Sequence, residues 1–466
     1  MYNSTDQIDS KQQDEAKHFV KSANAVRYSV LADPTLVQHR SYKTHAFQIP
    51  NQDTDSNGNF AQPLICKFML QREFIAAKSS YLKFSVRVDT TGTPGEFHAN
   101  GVRWNSSVLD LFQSIRLTSR DGTCIEYIEN ADVLQATIAQ TTYESDFLFH
   151  GAGKLAGYNP DDGMATFDGV ESRTYIVPLK MILGLASAED LLPPQLMDGC
   201  TLEIHLHNIN NAICRVADSA QSQSVDILIP GTVAQIRDVS MVTDSYLFDN
   251  RLYDMIEKEY QTTGLPIKFP SYTNTRMPVS NNSQLLNFTA RQSATRATKL
   301  IGKMSTVNTN IQQQGFSDNH RIQRGGFLTY AYSGLQCKLG DRFIPERALG
   351  TPEEASFHWL CAFHKCSGGC TAVAREFLGE FEQRGAFVFS LDRGVSKKTT
   401  SGVTVSTKYP LRVNLSVEDI ADPVTIDLFS PPFPVIYTFS FQRYLDTFLE
   451  HERVVIAASS GTQVML

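Results

Sequence analysis

The sequence predicts an all-β protein built from two consecutive β-sandwiches. Segments with the alternation and composition of strands fill both sides of one short helical pattern near the middle of the 466-residue chain. A chain of 466 residues exceeds what one hydrophobic core usually holds, so two domains of similar size are expected. The 28 phenylalanines and 17 tyrosines suit half-buried strands. Long strands separated by long loops favour Greek-key connections over tight meanders.

The helical pattern is the point about which both halves are arranged. Asp249 carries a side-chain oxygen that can cap a helix start, and apolar residues at helical spacing follow it. Gly264 can adopt the left-handed conformation that ends a helix, and Pro266 cannot continue one. The predicted organisation is an N-terminal arm at 1–45, a first sandwich at 46–248, a connecting helix at 249–264 and a second sandwich at 265–466.

Strands in the first half are predicted from alternation and turn signals. In Tyr81 to Val88 every second residue is apolar, which predicts a strand with one buried face. Asp121-Gly122 predicts a hairpin, because this pair tolerates the positive φ of tight turns. Further strands are predicted at 64–70, 114–118, 123–128, 174–178, 200–207, 225–229 and 233–248, helices at 130–140 and 179–185, and a surface loop at 150–169.

The second half repeats this plan. The predicted strands are 285–289, 298–305, 327–332, 335–339, 386–391, 403–407, 411–415, 424–428 and 435–441. Helices are predicted at 352–364 and 372–381, and exposed loops at 308–326 and 392–408. The stretch 437–446 is similar to 245–254, and this similarity predicts a strand followed by a short helical patch in both places.

Composition and charge narrow the range of functions. A hydrophobic share of 42% and a charged share of 20% are typical of a soluble globular protein. The formal net charge of -7 argues against a protein whose main task is to bind phosphate backbones, which requires a clustered basic surface. Residues 1–45 are polar, irregular and nearly neutral, which fits either a mobile terminus or an arm that orders against neighbouring subunits.

The eight cysteines are scattered along the chain, and the N-terminal residues do not show the basic and apolar pattern of a secretory leader. We therefore expect free thiols in a reducing compartment and no disulfide framework. No run approaches the roughly 18 uninterrupted apolar residues of a membrane span, so we expect none.

Three groups of residues are weighed as metal sites. The strongest is a window of imidazole and thiol groups, which zinc accepts as ligands: His358, Cys361, His364, Cys366 and Cys370. Its spacing is not that of paired C-x-x-C motifs, so cysteines on a packing face are the favoured interpretation, although metal binding by this window is left open. The segment 53–58 resembles the opening of a calcium loop but lacks its acidic twelfth residue, which favours a turn. His205 and His207 share a strand face, and an exposed pair is favoured. No metal site is predicted.

Catalytic and nucleotide-binding motifs are not found in the sequence. Gly151 to Lys154 is followed by Leu155 where a P-loop needs Ser or Thr, and Gly302-Lys303 is followed by Met304. Neither a G-x-S-x-G elbow nor an H-E-x-x-H helix occurs. We therefore predict no catalytic residue, no bound cofactor and no enzymatic activity.

Three stretches resemble viral major capsid proteins with two jelly rolls, the lineage of tectiviruses, adenoviruses, virophages and Polinton-like viruses. Tyr175 to Leu185, followed by Gly199 to Leu206, is similar to a strand, a Pro-Leu pair, a short helix and a second strand of these proteins. The junction Phe248 to Pro270 and the closing strand near Tyr437 also look like theirs. The likeness extends loosely from about residue 60 to the end of the chain.

This resemblance implies two consecutive eight-stranded jelly-roll sandwiches with short inserted helices. It further implies homotrimers of pseudo-hexagonal outline that assemble inside the host cell and tile an icosahedral virion. The implied partners are copies of the same chain, neighbouring capsomers and penton and minor capsid proteins. Strong nucleic-acid binding is not expected, and contact with an internal membrane is left open. Loops such as 308–326 would face outward, while the arm would lie beneath and hold neighbours.

Two alternatives are kept. The first is a single-jelly-roll-type capsid or attachment protein; a single-jelly-roll capsid subunit usually has a basic arm that packages the genome, whereas this arm is balanced in charge. A carbohydrate-active double β-sandwich would call for a secretory leader, disulfides and a cleft with tryptophan platforms, and the chain has only Trp104 and Trp359.

Overall fold

A computed structural model gives the fold. It describes residues 37–46, 64–89, 102–104, 107–143, 147, 150–158, 170–188, 191–207, 213–215, 233–248, 250–279, 285–290, 293–308, 331–351, 354, 357–358, 361–362, 386–391, 402–418, 427–429, 436–438 and 441–465.

Strands dominate the described part of the first half. They are β1 Val37–Ala46, β2 Leu64–Met69, β3 Phe74–Ile75, β4 Tyr81–Asp89, β5 Val102–Trp104, β6 Phe112–Thr118, β7 Cys124–Glu129, β8 Val170–Pro178, β9 Thr201–Leu206, β10 Ile213–Arg215 and β11 Val233–Phe248. The α-helices are Ala131–Thr142, Ala152–Leu155, Gly184–Ala188 and Pro194–Met197, and short 3-10 turns lie at Val108–Leu111 and Leu179–Met181.

The connecting helix Asn250–Thr262 leads into the second half. Its strands are β12 Leu265–Val279, β13 Leu285–Ala290, β14 Ala294–Asn308, β15 Ala331–Leu339, β16 Arg342–Leu349, β17 Ala386–Ser390, β18 Val403–Val405, β19 Leu411–Glu418, β20 Asp427–Phe429, β21 Ile436–Thr438, β22 Phe441–Ala458 and β23 Gly461–Met465.

Each half has the same strand order. In the first half the main strands are β1, β2, β4, β6, β7, β8, β9 and β11, and they form the sheets β1-β11-β4-β8 and β2-β9-β6-β7. In the second half the sheets are β12-β22-β14-β17 and β13-β19-β15-β16. Counted along the chain, both halves place the first, eighth, third and sixth main strands in one sheet and the second, seventh, fourth and fifth in the other. This is the jelly-roll arrangement, so the predicted fold class is confirmed. The halves are called the first and second rolls below.

The core follows from the alternation seen in the sequence. In β4 the residues Leu82, Phe84, Val86 and Val88 are buried while the side chains between them are not, as predicted. Strand β22 differs, because seven successive residues from Leu445 to His451 are all buried. It lies between β12 and β14, so its backbone is paired on both sides while both faces of this stretch are covered.

The connecting helix is confirmed, and its end has a clear physical cause. The backbone N–H groups of Thr263 and Gly264 both donate to the Glu259 carbonyl, at 3.0 and 2.9 Å. Gly264 has φ +76°, a left-handed value that costs glycine little. In each of the four main sheets, all strands lie either before this helix in the sequence or after it. The exact domain boundaries stay a prediction.

Several other predictions fail in an informative way. Residues 37–45 were predicted as irregular arm, but β1 pairs with β11 along its length. The helical patch predicted after Tyr437 is wrong, because Phe441 to Ala458 is one strand. The two strands predicted within 327–339 are one in its described part, β15, and β16 was not predicted. The surface loop predicted at 150–169 contains a helical turn at Ala152–Leu155.

Predictions for some segments lie outside the described residues. These are the helix within 15–30, the turn at 53–58, the strand at 225–229, the helix at 372–381 and most of the two exposed loops.

Candidate functional site at the seam between the rolls

The seam is defined as the surface where β7, the β6–β7 turn and the helix Gly184–Ala188 of the first roll meet β12, β22 and β23 of the second roll. It brings together buried and part-buried polar groups from distant parts of the described chain. Within that described part, no group of three or more His, Cys, Asp and Glu side chains is placed to hold a metal ion. The described helices also include none that is long and apolar enough to cross a membrane.

Glu126 lies at the centre of the seam and is fully buried. Its carboxylate accepts the backbone N–H groups of Gly184 and Leu185, at 2.9 and 3.1 Å. From the second roll, the Arg453 guanidinium donates to the Ile125 carbonyl at 2.8 Å. Burial raises the pKa of the Glu126 carboxyl to about 7, although the two N–H groups and the Arg453 charge oppose this shift.

Gly184 brings the two backbones into direct contact. A Cβ atom at this position would lie 1.7 Å from the Pro270 carbonyl oxygen in β12. No side chain fits there without moving the second roll. The first N–H groups of the helix Gly184–Ala188 thus bind Glu126, while its first residue packs against β12. One short helix therefore contacts both the first-roll and the second-roll side of the seam.

The β6–β7 turn adds hydrogen bonds at one end of the seam. The Asp121 carboxylate accepts the Thr462 N–H at 2.7 Å, and the Thr123 hydroxyl donates to the Thr462 carbonyl at 3.3 Å. Partial burial raises the pKa of Asp121, but hydrogen bonds from Ser119, Thr462 and Thr123 outweigh it and hold the pKa below its ordinary value. At the other end of β7, the Asn130 amide donates to the Asn274 side-chain oxygen at 3.1 Å.

A buried carboxylate network supports the second-roll side. Glu450 Oε1 accepts the Lys299 ammonium at 2.6 Å and the Thr298 hydroxyl at 2.8 Å, while its Oε2 accepts the Tyr272 hydroxyl at 2.9 Å. Burial alone would raise the pKa of Glu450, but the Lys299 charge and these hydrogen bonds hold it below its ordinary value. Glu450 is therefore a satisfied buried anion that joins β12, β14 and β22.

A second ion pair lies further along the same strands. Arg276 in β12 donates to both oxygens of Asp446 in β22, at 2.7 and 3.0 Å. The two residues are direct cross-strand partners, and the Asp446 side chain is fully buried. The Tyr444 ring lies 5.3 Å from the guanidinium carbon. A fork-like pair between a partly buried arginine and a fully buried carboxylate fixes the register of β12 on β22.

Comparison with known proteins shows the fold and not a sequence family. No protein-family model matches the sequence, and no curated protein matches it either. Among solved structures, the chain is similar to the PBCV-1 virus capsid with a TM-score of 0.54 and 11% identity, over 92% of this chain and 97% of that one. It is also similar to the Sputnik virophage structure with a TM-score of 0.56 and 10% identity, over 92% of this chain and 89% of that one. The chain is a double jelly roll.

In this double jelly roll, His205 and His207 are not the exposed pair that the sequence predicted. His207 is buried, and its Nε2 lies 2.7 Å from an Asp132 oxygen. His205 is half-buried. The prediction of an exposed pair is therefore wrong for His207, because the strand ends at Leu206 and the next residue turns toward the helix that contains Asp132.

The cysteine and tryptophan predictions are resolved only for the described residues. Among the described residues, four cysteines are free: Cys66, Cys124, Cys200 and Cys337. Burial raises the pKa of the Cys66 thiol to about 12, which makes it unreactive. His358 and Cys361 lie in a helical segment, while His364, Cys366 and Cys370 lie outside the described residues, so metal binding by this window stays untested. Trp104 is buried and its indole N–H donates to the Tyr175 hydroxyl at 2.9 Å, so it is a core residue and not a sugar platform.

Sequence reasoning missed the seam entirely. Glu126 is 58 residues from Gly184 and 327 residues from Arg453, and no motif links them. The single available signal was a carboxylate between two isoleucines in a predicted strand, Ile125-Glu126-Tyr127-Ile128. A carboxylate at such a position is usually interpreted as solvent-facing. Alternation predicts which face of a strand is buried in its own sandwich, but it does not predict which surface a second sandwich covers.

Proposed function

We propose that this protein is the major capsid protein of a virus and that it acts in the virion as a structural building block. The observation that carries the proposal is the duplicated jelly roll, with two rolls of identical strand order joined by a polar seam. The fold likeness to the PBCV-1 virus capsid and to the Sputnik virophage over most of each chain supports it.

The proposed assembly is a homotrimer of pseudo-hexagonal outline that tiles an icosahedral shell. Three copies of a two-roll chain supply six similar rolls, and a sixfold outline is the packing that tiles a surface with the fewest kinds of contact. Such a ring requires heterologous interfaces, in which two different faces of the same chain meet. The two rolls of one chain have the same strand order, and at the seam they contact each other through different surfaces. The chain therefore already contains one contact of the heterologous kind.

The partners follow from this role. They are further copies of the chain within the trimer, neighbouring trimers, and penton and minor capsid proteins at special positions of the shell. Contact with an internal membrane belongs to the same proposal. The role is mechanical and needs neither catalysis nor a cofactor. The negative net charge agrees with a shell protein that does not itself package nucleic acid.

Light scattering on the purified full chain tests the proposal. We expect a particle of three times the mass of the chain, and negative-stain images showing a three-lobed or hexagonal outline. A monomer that persists at high protein concentration would contradict the trimer. Expression of the protein in a host cell provides the second readout. A shell protein is expected to form closed or sheet-like assemblies there when it is concentrated.

A further inference from the structure

The sheet β1-β11-β4-β8 of the first roll has an outer face that carries three basic side chains. In β4 the buried residues alternate with Lys83, Ser85 and Arg87, which point away from the core. On β11, Arg237 lies opposite Ser85, and Gln235 lies opposite Arg87. Lys83 and Arg237 are exposed, and Arg87 is half-buried. The basic face is defined here as the outer surface of Lys83, Ser85, Arg87, Thr174, Gln235 and Arg237.

Uncharged polar groups lie between the cations of the basic face. The hydroxyl oxygens of Ser85 and Thr174, which are cross-strand partners on β4 and β8, are 3.1 Å apart. The Arg237 guanidinium donates to the side-chain oxygen of Gln235 at 2.6 Å. Cations, hydroxyl groups and an amide therefore share one surface, and all of them can donate hydrogen bonds.

The cations of the basic face are not neutralised from within the described chain. No described carboxylate forms an ion pair with Lys83, Arg87 or Arg237. Two carboxylates border the face, since Asp89 ends β4 and Asp238 lies in the bulge beside Arg237. The three cations outnumber these acids, in a chain whose formal net charge is -7. Like charges on neighbouring strands repel each other, and an anion bound between them relieves this repulsion.

The equivalent sheet of the second roll compensates its cations internally. Its strands β12, β14 and β22 correspond to β1, β4 and β11 of the first roll. Carboxylates of β22 pair there with four basic residues of β12 and β14. These pairs are Lys268–Glu452, Arg276–Asp446, Arg296–Glu452 and Lys299–Glu450. On β11, the residues opposite Ser85 and Arg87 are an arginine and a glutamine, so the same topology leaves the cations of the first roll without this compensation.

We propose that the basic face binds a short acidic glycan, with carboxylate or sulfate groups on the cations and sugar hydroxyls on the polar groups between them. Arginine and lysine form charge-assisted hydrogen bonds with such anions. Lys83 and Arg87 are four residues apart on β4, roughly 13 Å, and Arg237 lies between them on the neighbouring strand. A surface of this size fits a few sugar units. The inference goes beyond the structural role proposed above and does not depend on the trimer.

The chemistry of the basic face favours a glycan over other anionic partners. Single-stranded nucleic acids bind where aromatic side chains stack on bases, and none of the six residues of the face is aromatic. Lipid headgroups are typically bound by clusters of about four to eight cations or by amphipathic helices, whereas this face has three cations on strands. A long duplex would also meet the rest of a chain with a net charge of -7, which a short glycan avoids.

Binding of defined tetrasaccharides to the full chain tests the proposal. The probes are a sulfated heparin tetrasaccharide, a carboxylated hyaluronan tetrasaccharide and neutral maltotetraose, and isothermal titration calorimetry measures their affinities. We expect at least one acidic probe to bind and the neutral probe not to bind. The affinity of the acidic probe is expected to fall as salt rises, because the cations that hold it are exposed.

Two single variants, Arg237→Glu and Lys83→Glu, place the binding on the basic face. Each reverses a charge at an exposed position, so the effect on folding is small. We expect each variant to weaken binding of the acidic probe by about tenfold or more. The matched control is Arg412→Glu, which makes the same charge change at an exposed position of β19 in the second roll. Thermal unfolding shows whether each variant is folded.

Three outcomes would overturn the proposal. The first is that neither acidic probe binds. The second is that Arg237→Glu and Arg412→Glu weaken binding equally, which shows attraction by net charge alone. For the third, a short DNA duplex and vesicles containing phosphatidylserine are measured under the same conditions. If one of these binds more tightly than both acidic glycans and depends on Arg237, the face serves a nucleic acid or a membrane and not a glycan.

A second measurement uses the unchanged protein and needs no variant. Lys83 and Lys408 are both exposed, and Lys83 lies in the basic face whereas Lys408 lies in the second roll. Brief acetylation followed by mass spectrometry compares their reaction rates with and without a saturating acidic tetrasaccharide. We expect the bound probe to protect Lys83 and not Lys408. Equal acetylation of Lys83 in the presence and absence of the bound probe would show that the glycan binds elsewhere, which overturns the assignment to this face.

Discussion

At the scale of single residues, the seam depends on a carboxyl group that is buried away from water. Glu126 accepts two backbone N–H groups, yet the nearest positive charge, Arg453, is itself partly buried and directs a hydrogen bond to a carbonyl. Two N–H groups and one partly buried cation do not fully replace the lost hydration of an anion. The raised pKa of Glu126 expresses this imbalance.

The pH dependence of stability follows from that shift. Because the folded-state pKa is raised from 4.5 to about 7, the folded protein holds this proton more tightly than the unfolded chain does. The stability from protonated Glu126 is fully present below the unfolded value of 4.5 and is lost as pH rises through about 7. The whole effect is of the order of 3 kcal/mol.

Glu126→Gln tests this linkage, because the amide cannot ionise. We expect the melting temperature of the unchanged protein to fall relative to that of the variant as pH rises from about 5 to about 8. Thermal unfolding by circular dichroism in a pH series measures it. Glu129→Gln, an exposed position on the same strand, serves as the control. Parallel pH profiles for Glu126→Gln and the unchanged protein would show that Glu126 does not titrate in this range.

At the scale of elements, the comparison of sequence and structure shows where pattern reasoning works. Strand β4 and the β6–β7 hairpin were predicted because one face is buried and the turn needs a positive φ, which Gly122 has at +87°. Strand β22 was not predicted beyond its first residue, where the predicted strand 435–441 ends, and the stretch after it was misread as helical. Seven successive residues buried on both faces leave no alternation to detect. The seam could not be predicted, since it depends on contacts between residues hundreds of positions apart.

The pairing of β12 with β22 is expected to depend on Arg276 and Asp446. Arg276→Met leaves the buried Asp446 carboxylate without its cation, and we expect the free energy of unfolding to fall by about 3 to 5 kcal/mol. Denaturant unfolding measures the loss. A double variant, Arg276→Met with Asp446→Leu, removes both charges and is expected to recover most of it, because a buried ion pair is often replaceable by apolar residues. Equal losses for the single and double variants would contradict this account.

At the scale of the whole molecule, the sequence predicted two similar β domains about one helix, and the sheets follow that division. One segment that it misread is the strand at Val37–Ala46. This segment has no clean apolar alternation, so residues 37–45 were assigned to the irregular arm, yet the backbone pairs with β11 from Val37 to Ala46. Long-range pairing of this kind overrides local propensity, because β11 supplies a ready row of hydrogen-bonding groups.

Two truncations distinguish the arm from the roll. Deletion of residues 1–36 leaves β1 in place, so we expect trimers of unchanged melting temperature, with any effect of the arm confined to assembly of the shell. Deletion of residues 1–46 also removes β1, which exposes the edge of β11. We expect this longer deletion to lower the melting temperature, as measured by thermal unfolding, because the first roll loses the backbone pairing between β1 and β11. Equal melting temperatures for the two deletions would show that β1 does not stabilise the first roll.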